Sequence, residues 1–589
     1  MRLRPSRHPR STAAAALLLA ACGLNTYGLS DGSTATTTMS GGSTAPTGEP
    51  LPEAPSLQLS FSQIKQFDFA WSPAAGADYY QLLERTTVDD DYEQLKPDIT
   101  ETSISLPMPL HLRFGASYFL KACNAGGCTD SAPVDVVDSM ADAVGYFKAS
   151  NTEADDHFGA RIALSSADGN TLVVGAAQED STASDAGAVY VFVRNGAAWS
   201  QEAYLKASNP GPGDQFGARV AISADGNTLA VGAYDKDGAA DITDSGAVYV
   251  FVRMNGAWSQ QAYLEASIIG EGDHFGESVA LSENGDTLAI GAPLEDSDGI
   301  NGDQANNAAS DSGAAYVFVR DNAAWSQKAY LKAPVAGGGD HFGSSITLSP
   351  YVETLAVGAP LEDSNSTSVI DNSASDAGAV YVFKRADESW SEPIYLKAST
   401  PGSGDHFGIT VALSADRNTL AIGANTESSH AAGIDGDQLD DSAQSAGAVF
   451  VFVWANMAWA QQAYIKASNP DAGDFFGNVA LSADGDILAV GALGEKSTAN
   501  GIGGDQTVNT AELVGSAYVF VRSGTAWSQR AYVKASNSGA GDIFGSTVAM
   551  SADGNTLAVG AYGEGSASIG IGGDQTDDSA PEAGAVYLY

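Results

Sequence analysis

Basic residues are scarce in this chain: 28 Lys and Arg stand against 72 Asp and Glu, for a formal net charge of −44. Four of them, Arg2, Arg4, Arg7 and Arg10, fall in the first ten residues, so the rest is more acidic still. Such a field repels nucleic acid and anionic headgroups and favours cations or basic partners, while leaving the fold open. Cysteine is nearly absent, with three in 589 residues. No apolar run is long: AAAALLLAA at 13–21 is too short to cross a bilayer as a helix. Long helix-forming runs are missing too, whereas glycine is abundant at 66, and that combination predicts many turns and an all-β protein. There is no GxSxG elbow, no HExxH, no phosphate-binding P-loop and no Cys/His zinc spacing. The length calls for two or more domains.

The first ten residues are basic, the apolar run follows, and Leu19-Ala20-Ala21-Cys22-Gly23 comes directly behind it. This resembles the lipobox of bacterial lipoproteins. The resemblance implies a signal peptide over 1–21, cleavage before Cys22 and lipidation of its thiol. Acyl chains would then anchor the protein without a spanning helix. Gly23 carries no inner-membrane retention signal, so the expected location is exported and lipid-anchored, at the outer membrane or cell surface. Residues 22–55 are rich in Ser, Thr, Gly and Pro and read as anchor plus flexible tether.

From 56 to 138 short alternating runs appear: LQLSFSQ, FDFAWSP, DYYQLLE, SISLP, ASYFLKACN and PVDVV. They predict a small β-sandwich. Phe69-Ala70-Trp71-Ser72-Pro73, Gly76, Tyr80 and Tyr118 to Asn124 make it similar to a fibronectin type III domain, with Trp71 in its core. Cys123 and Cys128 flank an Asn-Ala-Gly-Gly hairpin loop, close enough to form a disulfide in an exported protein.

From about 143 to 589 the chain repeats itself, and repetition outranks local readings. One unit reads FGARVAISADGNTLAVGA, a polar loop, GAVYVFVR, a short turn, and AWSQQAYLKASNPGPGD. The FG phenylalanines are Phe158, Phe216, Phe275, Phe342, Phe407, Phe476 and Phe544. Each unit holds four strand-like runs, called here A (VALS), B (TLAVGA), C (GAVYVF) and D (WSQQAYLKA), which is the pattern of a β-propeller. The region opens on a D run, Tyr146 to Ala149, and its last run is a C, Ala583 to Tyr589. The opening segment is therefore expected to complete the last blade and close a seven-bladed ring, which removes open sheet edges. The sixth unit, FGNVALS, is one residue short and predicts a local bulge.

These motifs resemble the integrin-α type of FG-GAP propeller; literal GAP stands at Gly291-Ala292-Pro293 and Gly358-Ala359-Pro360. The calcium motif of that family, DxDxDG between A and B, is absent, and the turn Ser223-Ala224-Asp225-Gly226-Asn227 is too short to wrap a hard cation. The same turn resembles a degenerate Asp-box of sialidase-type propellers, which is structural. A sialidase-like arginine triad is not evident, since Arg161, Arg194, Arg253 and Arg522 fall in or beside strands.

The large length variation is in the B–C loop, which runs from 12 residues between Gly175 and Gly187 to 24 between Gly560 and Gly584. Variable loops on a rigid frame are the usual seat of recognition. The longer loops are acidic. Asp298, Asp303, Asp435, Asp437, Asp505 and Asp574 lie in Gly-rich stretches that suit Ca2+, against the plainer reading of solvated turns. Asp440, Asp441, Asp577 and Asp578 extend the acidic face. The D–A loop ends in an Asp in every unit, followed four times by His: His157, His274, His341 and His406. Those histidines are candidates for a shared site at the channel mouth, although Gln215, Phe475 and Ile543 fill the same slot elsewhere. Trp199, Trp258, Trp325, Trp390, Trp459 and Trp527 begin D runs and are expected to pack on a neighbouring strand or blade.

The expected function is a non-catalytic surface lipoprotein. It would be monomeric, without affinity for nucleic acid, and would bind an extracellular protein or glycan through the face carrying the B–C and D–A loops. A carbohydrate-active hydrolase or lyase on that face, and a structural envelope protein, are the alternatives. A deep apolar pocket holding two close carboxylates of unlike pKa would favour the enzyme; a shallow acidic face would favour binding.

Overall fold

The computed structural model describes residues 49–589 except 63, 138–139, 166, 168, 239–241, 300–303 and 367–370. The expected signal peptide, Cys22, most of the tether and Asp303 lie outside the described residues. Apart from two 3-10 turns, Leu110–Leu112 and Ala141–Ala143, the described secondary structure is all strand.

The sandwich pairs a three-stranded sheet (Leu57–Ser62, Gln66–Trp71, Ser103–Pro107) with a larger one centred on Tyr79–Arg85 and Ser117–Asn124. Two strands escaped the sequence reading, Glu93–Ile99 and Gly127–Asp130, because both are short of apolar residues and sit toward a sheet edge. Alternation along the strands puts Phe67, Phe69, Trp71, Leu82, Tyr118 and Leu120 inside. Cys123 and Cys128 face each other across the hairpin and are bonded. Residues 50–55, read from sequence as the end of the tether, are docked at their start: Asn124 Nδ2 donates to Pro50 O at 2.7 Å and Thr129 Oγ1 to Pro52 O at 2.8 Å.

The rest forms seven antiparallel sheets. In the first, A is Arg161–Leu164, B is Thr171–Ala176, C is Ala188–Asn195 and D is Ala198–Leu205. The seventh is built of Phe544–Met550, Leu557–Ala561 and Ala585–Leu588, and its outer strand is Gly145–Phe147. There Val586 pairs with Phe147 and Tyr587 with Tyr146. Successive A strands are neighbours, and the last A strand neighbours the first, so the sheets form a ring of blades. In the shortened sixth unit the A strand starts at Phe476 itself, with a register shift between Phe476 and Asn478; the seventh does likewise between Phe544 and Thr547.

The repeated letters mark the contacts between blades. All seven FG phenylalanines are fully buried. Phe216 packs edge-on against Tyr249 and Phe251 of its own C strand, with centroids 5.2 and 5.9 Å apart. Val189, Val191 and Leu205 of the preceding blade complete the same cluster. Full burial of each such ring is worth about 2–3 kcal/mol. Glycine is required where backbones meet. A Cβ on Gly291 would sit 2.0 Å from Gly343 O of the next blade, and one on Gly246, itself at φ +83°, would sit 2.2 Å from Phe275 O.

A buried ion pair recurs inside the blades. Lys148, Lys332, Lys466 and Lys534 each meet a glutamate, respectively Glu564, Glu295, Glu427 and Glu495, at 2.8 Å; Lys397 meets Glu362 at 3.0 Å, and Lys206 pairs with Glu179. In four of these pairs the tyrosine two residues before the lysine donates to the same carboxylate, as Tyr146 does to Glu564 at 2.9 Å. At the joint between the first and last segments this trio bonds the opening strand to the last B–C loop. In the second blade the charges are exchanged: Lys236 occupies the glutamate position and Glu265 the lysine position. Lys236 there meets Asp214 at 3.2 Å, and Tyr263 donates to Glu265 at 3.0 Å.

Candidate functional site

The B–C and D–A loops emerge on one side of the ring, here the loop face, and the A–B turns on the other, the turn face. On the turn face the short turn is self-contained. Asp225 accepts from Ser223 Oγ at 2.6 Å and from Asn227 N at 3.0 Å, and Arg253 Nε reaches Asn227 at 2.9 Å. Trp258, Trp325 and Trp527 tie D strands of adjacent blades. Trp258 Nε1 donates to Glu202 at 2.9 Å and Trp325 Nε1 to Gln261 at 3.1 Å, with Arg253 and Arg320 each 5.5 Å from the indole centroid.

The acidic loops have structural work. In blade five Gly433 N donates to Ala467 O, Asp435 N to Tyr464 O and Lys466 N to Gly433 O, so the loop pairs with the end of its own D strand. Blades six and seven repeat this, with Ile502 bridging Val533 and Ile571 bridging Phe147. The glutamine of each Gly-Asp-Gln reaches the preceding blade's D–A loop: Ser399, Ser468 and Ser536 donate to Gln438, Gln506 and Gln575 at 2.6 Å. Asp437, Asp505 and Asp574 cap their own loops by accepting from the N–H two residues on. Asp435 accepts from Tyr464 N at 3.0 Å, Asp298 from Asn306 Nδ2 at 2.5 Å and Asp577 from Ser579 N at 3.0 Å. Asp440, Asp441 and Asp578 lie on the same loops, and Asp440 O accepts from His430 N. Among the described residues no group of three or more His, Cys, Asp or Glu is placed to hold a metal ion.

The four histidines share one backbone state rather than one site. All have φ near +55°, as do Gln215, Phe475 and Ile543 in the same slot. The slot turns the chain from the D–A loop into the buried FG pair, and the preceding Asp holds the turn, as Asp273 does by accepting Gly270 N at 2.8 Å. His157 meets Glu582 at 2.9 Å, and His274 lies 3.5 Å from both Asp235 and Glu277. Burial pushes His341 and His406 down. Burial also pushes Asp156 and Asp474 up to about 7, and Asp273, Asp340, Asp405 and Asp542 up to about 6.

Two of the cavities at the loop face bear on the candidate site. A shallow one of about 800 Å³ between blades one and two is lined by Asp185, Asp235, Asp237, Asp244, Gln215 and His274. Burial pushes Asp235 up to about 6. The other, about 260 Å³, is the near end of the central channel, where the A strands begin. The residue opposite the B-strand glycine faces it in each blade: Arg161, Arg219, Ser278, Ser345, Thr410, Asn478 and Thr547. Sequence reading placed Arg161 merely in a strand and passed over Arg219. Aligning the seven units at FG would have set both against Ser and Thr. The channel's other end, about 370 Å³, is ringed by Ile222, Leu281, Leu348, Leu413, Leu481 and Met550.

A model of the FG-GAP repeat matches residues 144–192, 199–251, 258–318, 325–383, 459–520 and 527–589. Each match runs from a D strand to the next C strand, so the sequence unit straddles two blades. The unmatched stretch contains the one D strand that is interrupted, at Glu392-Pro393 between Ser389–Trp390 and Ile394–Leu396. Among solved structures, a putative 6-phosphogluconolactonase from Bacteroides uniformis is 12% identical, with a TM-score of 0.39, covering 78% of this chain and 98% of its own. The WD40 repeats of RRP9 are 10% identical, with a TM-score of 0.40 and coverages of 75% and 96%. Likeness at that level carries no functional argument. No curated protein sequence matches significantly. The matched repeats span more than half of the chain, which therefore belongs to the FG-GAP repeat family.

Proposed function

We propose that this protein is a non-catalytic recognition module, exported and lipid-anchored through Cys22, whose loop face binds an extracellular protein or glycan. The observation that carries this reading is where the repeats stop agreeing. Buried seams recur in every blade and the Lys–Glu pair in six of the seven, while large differences in loop length fall on the loop face alone. A rigid ring with one variable face is the arrangement that recognition uses. FG-GAP propellers are generally non-catalytic. The larger loop-face cavity is polar and shallow, without the apolar wall that would set apart two carboxylates for acid–base work. The sandwich, whose sequence resembles a fibronectin type III domain, serves as a stalk. The reading needs no metal ion.

The test uses the full-length protein on a panel of glycans and secreted proteins. Binding should fall at least tenfold in a variant carrying Asp440→Asn, Asp441→Asn, Asp577→Asn and Asp578→Asn. It should be untouched by Tyr351→Ser on the turn face. Absence of any ligand, or equal loss in both variants, would sink the proposal. Acyl incorporation abolished by Cys22→Ser checks the anchor separately.

A further inference from the structure

We propose that Arg161 and Arg219 form an oxyanion-binding site at the loop-face end of the central channel, taking a small phosphate- or carboxylate-bearing molecule.

In blades three to six the residue at that position bonds to the next blade. Ser278, Ser345 and Thr410 donate to the FG glycine carbonyl of the following blade, Gly343, Gly408 and Gly477, at 2.6, 2.7 and 2.5 Å, and Asn478 Nδ2 donates to Gly545 O at 3.2 Å. A short polar side chain there fastens one blade to the next. In blades one and two the fastening is absent, and a guanidinium stands in its place. Each arginine spends one N–H near its own backbone: Arg161 Nη1 donates to Ala160 O at 2.7 Å and Arg219 Nη1 to Ala218 O at 2.9 Å. A guanidinium has five N–H donors, so most remain for a ligand.

The charge arrangement is costly unless an anion is present. Arg219 has one acid partner, Glu277, at 3.7 Å, and its guanidinium lies 5.8 Å from the Tyr234 ring centroid. Arg161 has no carboxylate within ion-pairing distance among the described residues. Its neighbour Arg219 is the main reason its guanidinium is pushed down to about 9, which leaves it charged at neutral pH. Two adjacent cations have been kept together in a chain of net charge −44 with 72 carboxylates to choose from. Repulsion between them is relieved by an oxyanion, which guanidinium forks bind bidentately.

The rest of the cavity suits such a guest. Of the lining hydroxyls, Ser278, Ser344, Ser345, Thr410 and Ser546 donate their one proton to backbone carbonyls, which leaves Thr547 to donate to a guest beside the two guanidiniums, and no carboxylate is among the lining residues. Its volume, about 260 Å³, holds a guest of about nine non-hydrogen atoms at the roughly 30 Å³ each water takes in the liquid. Phosphate and small dicarboxylates fit; a folded domain does not. The site stands whether or not the surrounding loops take a partner.

Calorimetric titration of the full-length protein in detergent, with inorganic phosphate and separately with succinate at constant ionic strength, tests the proposal and tells the two anion types apart. Saturable one-to-one binding of at least one probe is expected. Arg161→Gln and Arg219→Gln should each weaken it at least tenfold. Arg320→Gln removes the same charge at the outer rim, beside Trp325, and should leave it unchanged. Should Arg161→Gln fail to fold, Arg161→Lys keeps the charge but loses the fork and should still weaken binding. No saturable heat with either probe, retention of affinity in the channel variants, or equal loss in Arg320→Gln would overturn the assignment.

Discussion

The two ends of the central channel are built from the same seven A strands, yet they differ in kind. At the turn-face end the units agree: Leu164, Ile222, Leu281, Leu348, Leu413, Leu481 and Met550 are all apolar. At the loop-face end they diverge, from two arginines through Ser, Thr and Asn. Packing makes the same demand on every blade at the first end, so the answer repeats. At the second end packing asks only for something polar, and the sequence is free to answer otherwise. In a repeat protein agreement between units marks the frame, and disagreement marks where a ligand could have shaped the choice.

The largest predicted effect tests the frame. Phe342→Ala should destabilise by about 3–5 kcal/mol, since the ring is fully buried. Ser345→Ala at the mouth should cost only about 1 kcal/mol. Guanidinium unfolding followed by tryptophan fluorescence compares the two, and equal costs would erase the distinction. Next comes the joint between the first and last segments. Glu564→Leu strands Lys148, whose side chain is 0% exposed, and should cost about 3 kcal/mol. Adding Lys148→Met should recover most of that loss; no recovery would mean the pair is not coupled.

A smaller effect is the response to pH. The D–A carboxyls at about 6 to 7 hold protons in the folded state that the unfolded chain, at the ordinary 3.8, has already released. Their contribution is therefore present at low pH and is lost as pH rises through 6 to 7. Melting temperature should increase as pH is lowered from about 7.5 to about 5, reinforced by relief of net charge. Asp505 and Asp574, held down chiefly by bonds from Thr507 and Thr576, oppose this only below the ordinary carboxylate range. A melting temperature that falls steadily over that interval would contradict the burial of these groups. Last, Arg161→Gln should leave the unfolding free energy unchanged or raise it, since the repulsion from Arg219 goes with the charge. A large loss would make Arg161 part of the frame and not of the mouth.

Much of the fold was legible because it recurs. The FG phenylalanines, the four strands per unit and the pairing of Tyr146 with the final C strand all follow from pattern and counting. The candidate site was less so. The Gly-Asp-Gln loops look like cation loops in sequence. Their glutamines instead meet serines 38 or 39 residues earlier, and their glycines meet a D strand. The Lys–Glu pairs likewise join residues distant in sequence, 39 apart for Lys466 and Glu427 and 416 for Lys148 and Glu564. Neither relation has a local signature. The exchange of Lys236 and Glu265 in blade two was the available clue, since two positions that swap sign together are constrained by charge.

By itself the sequence determined an acidic all-β chain with a sandwich ahead of seven repeats, because periodicity, glycine placement and composition act locally and additively. Only the tertiary structure decided which polar residues face each other. It put Arg161 and Arg219, 58 positions apart, side by side at one end of a channel, and it spent the aspartates on their own loops. The physical reason is that a ring brings the same position of successive units together about one axis, so neighbours in function are set by blade geometry and not by distance along the chain.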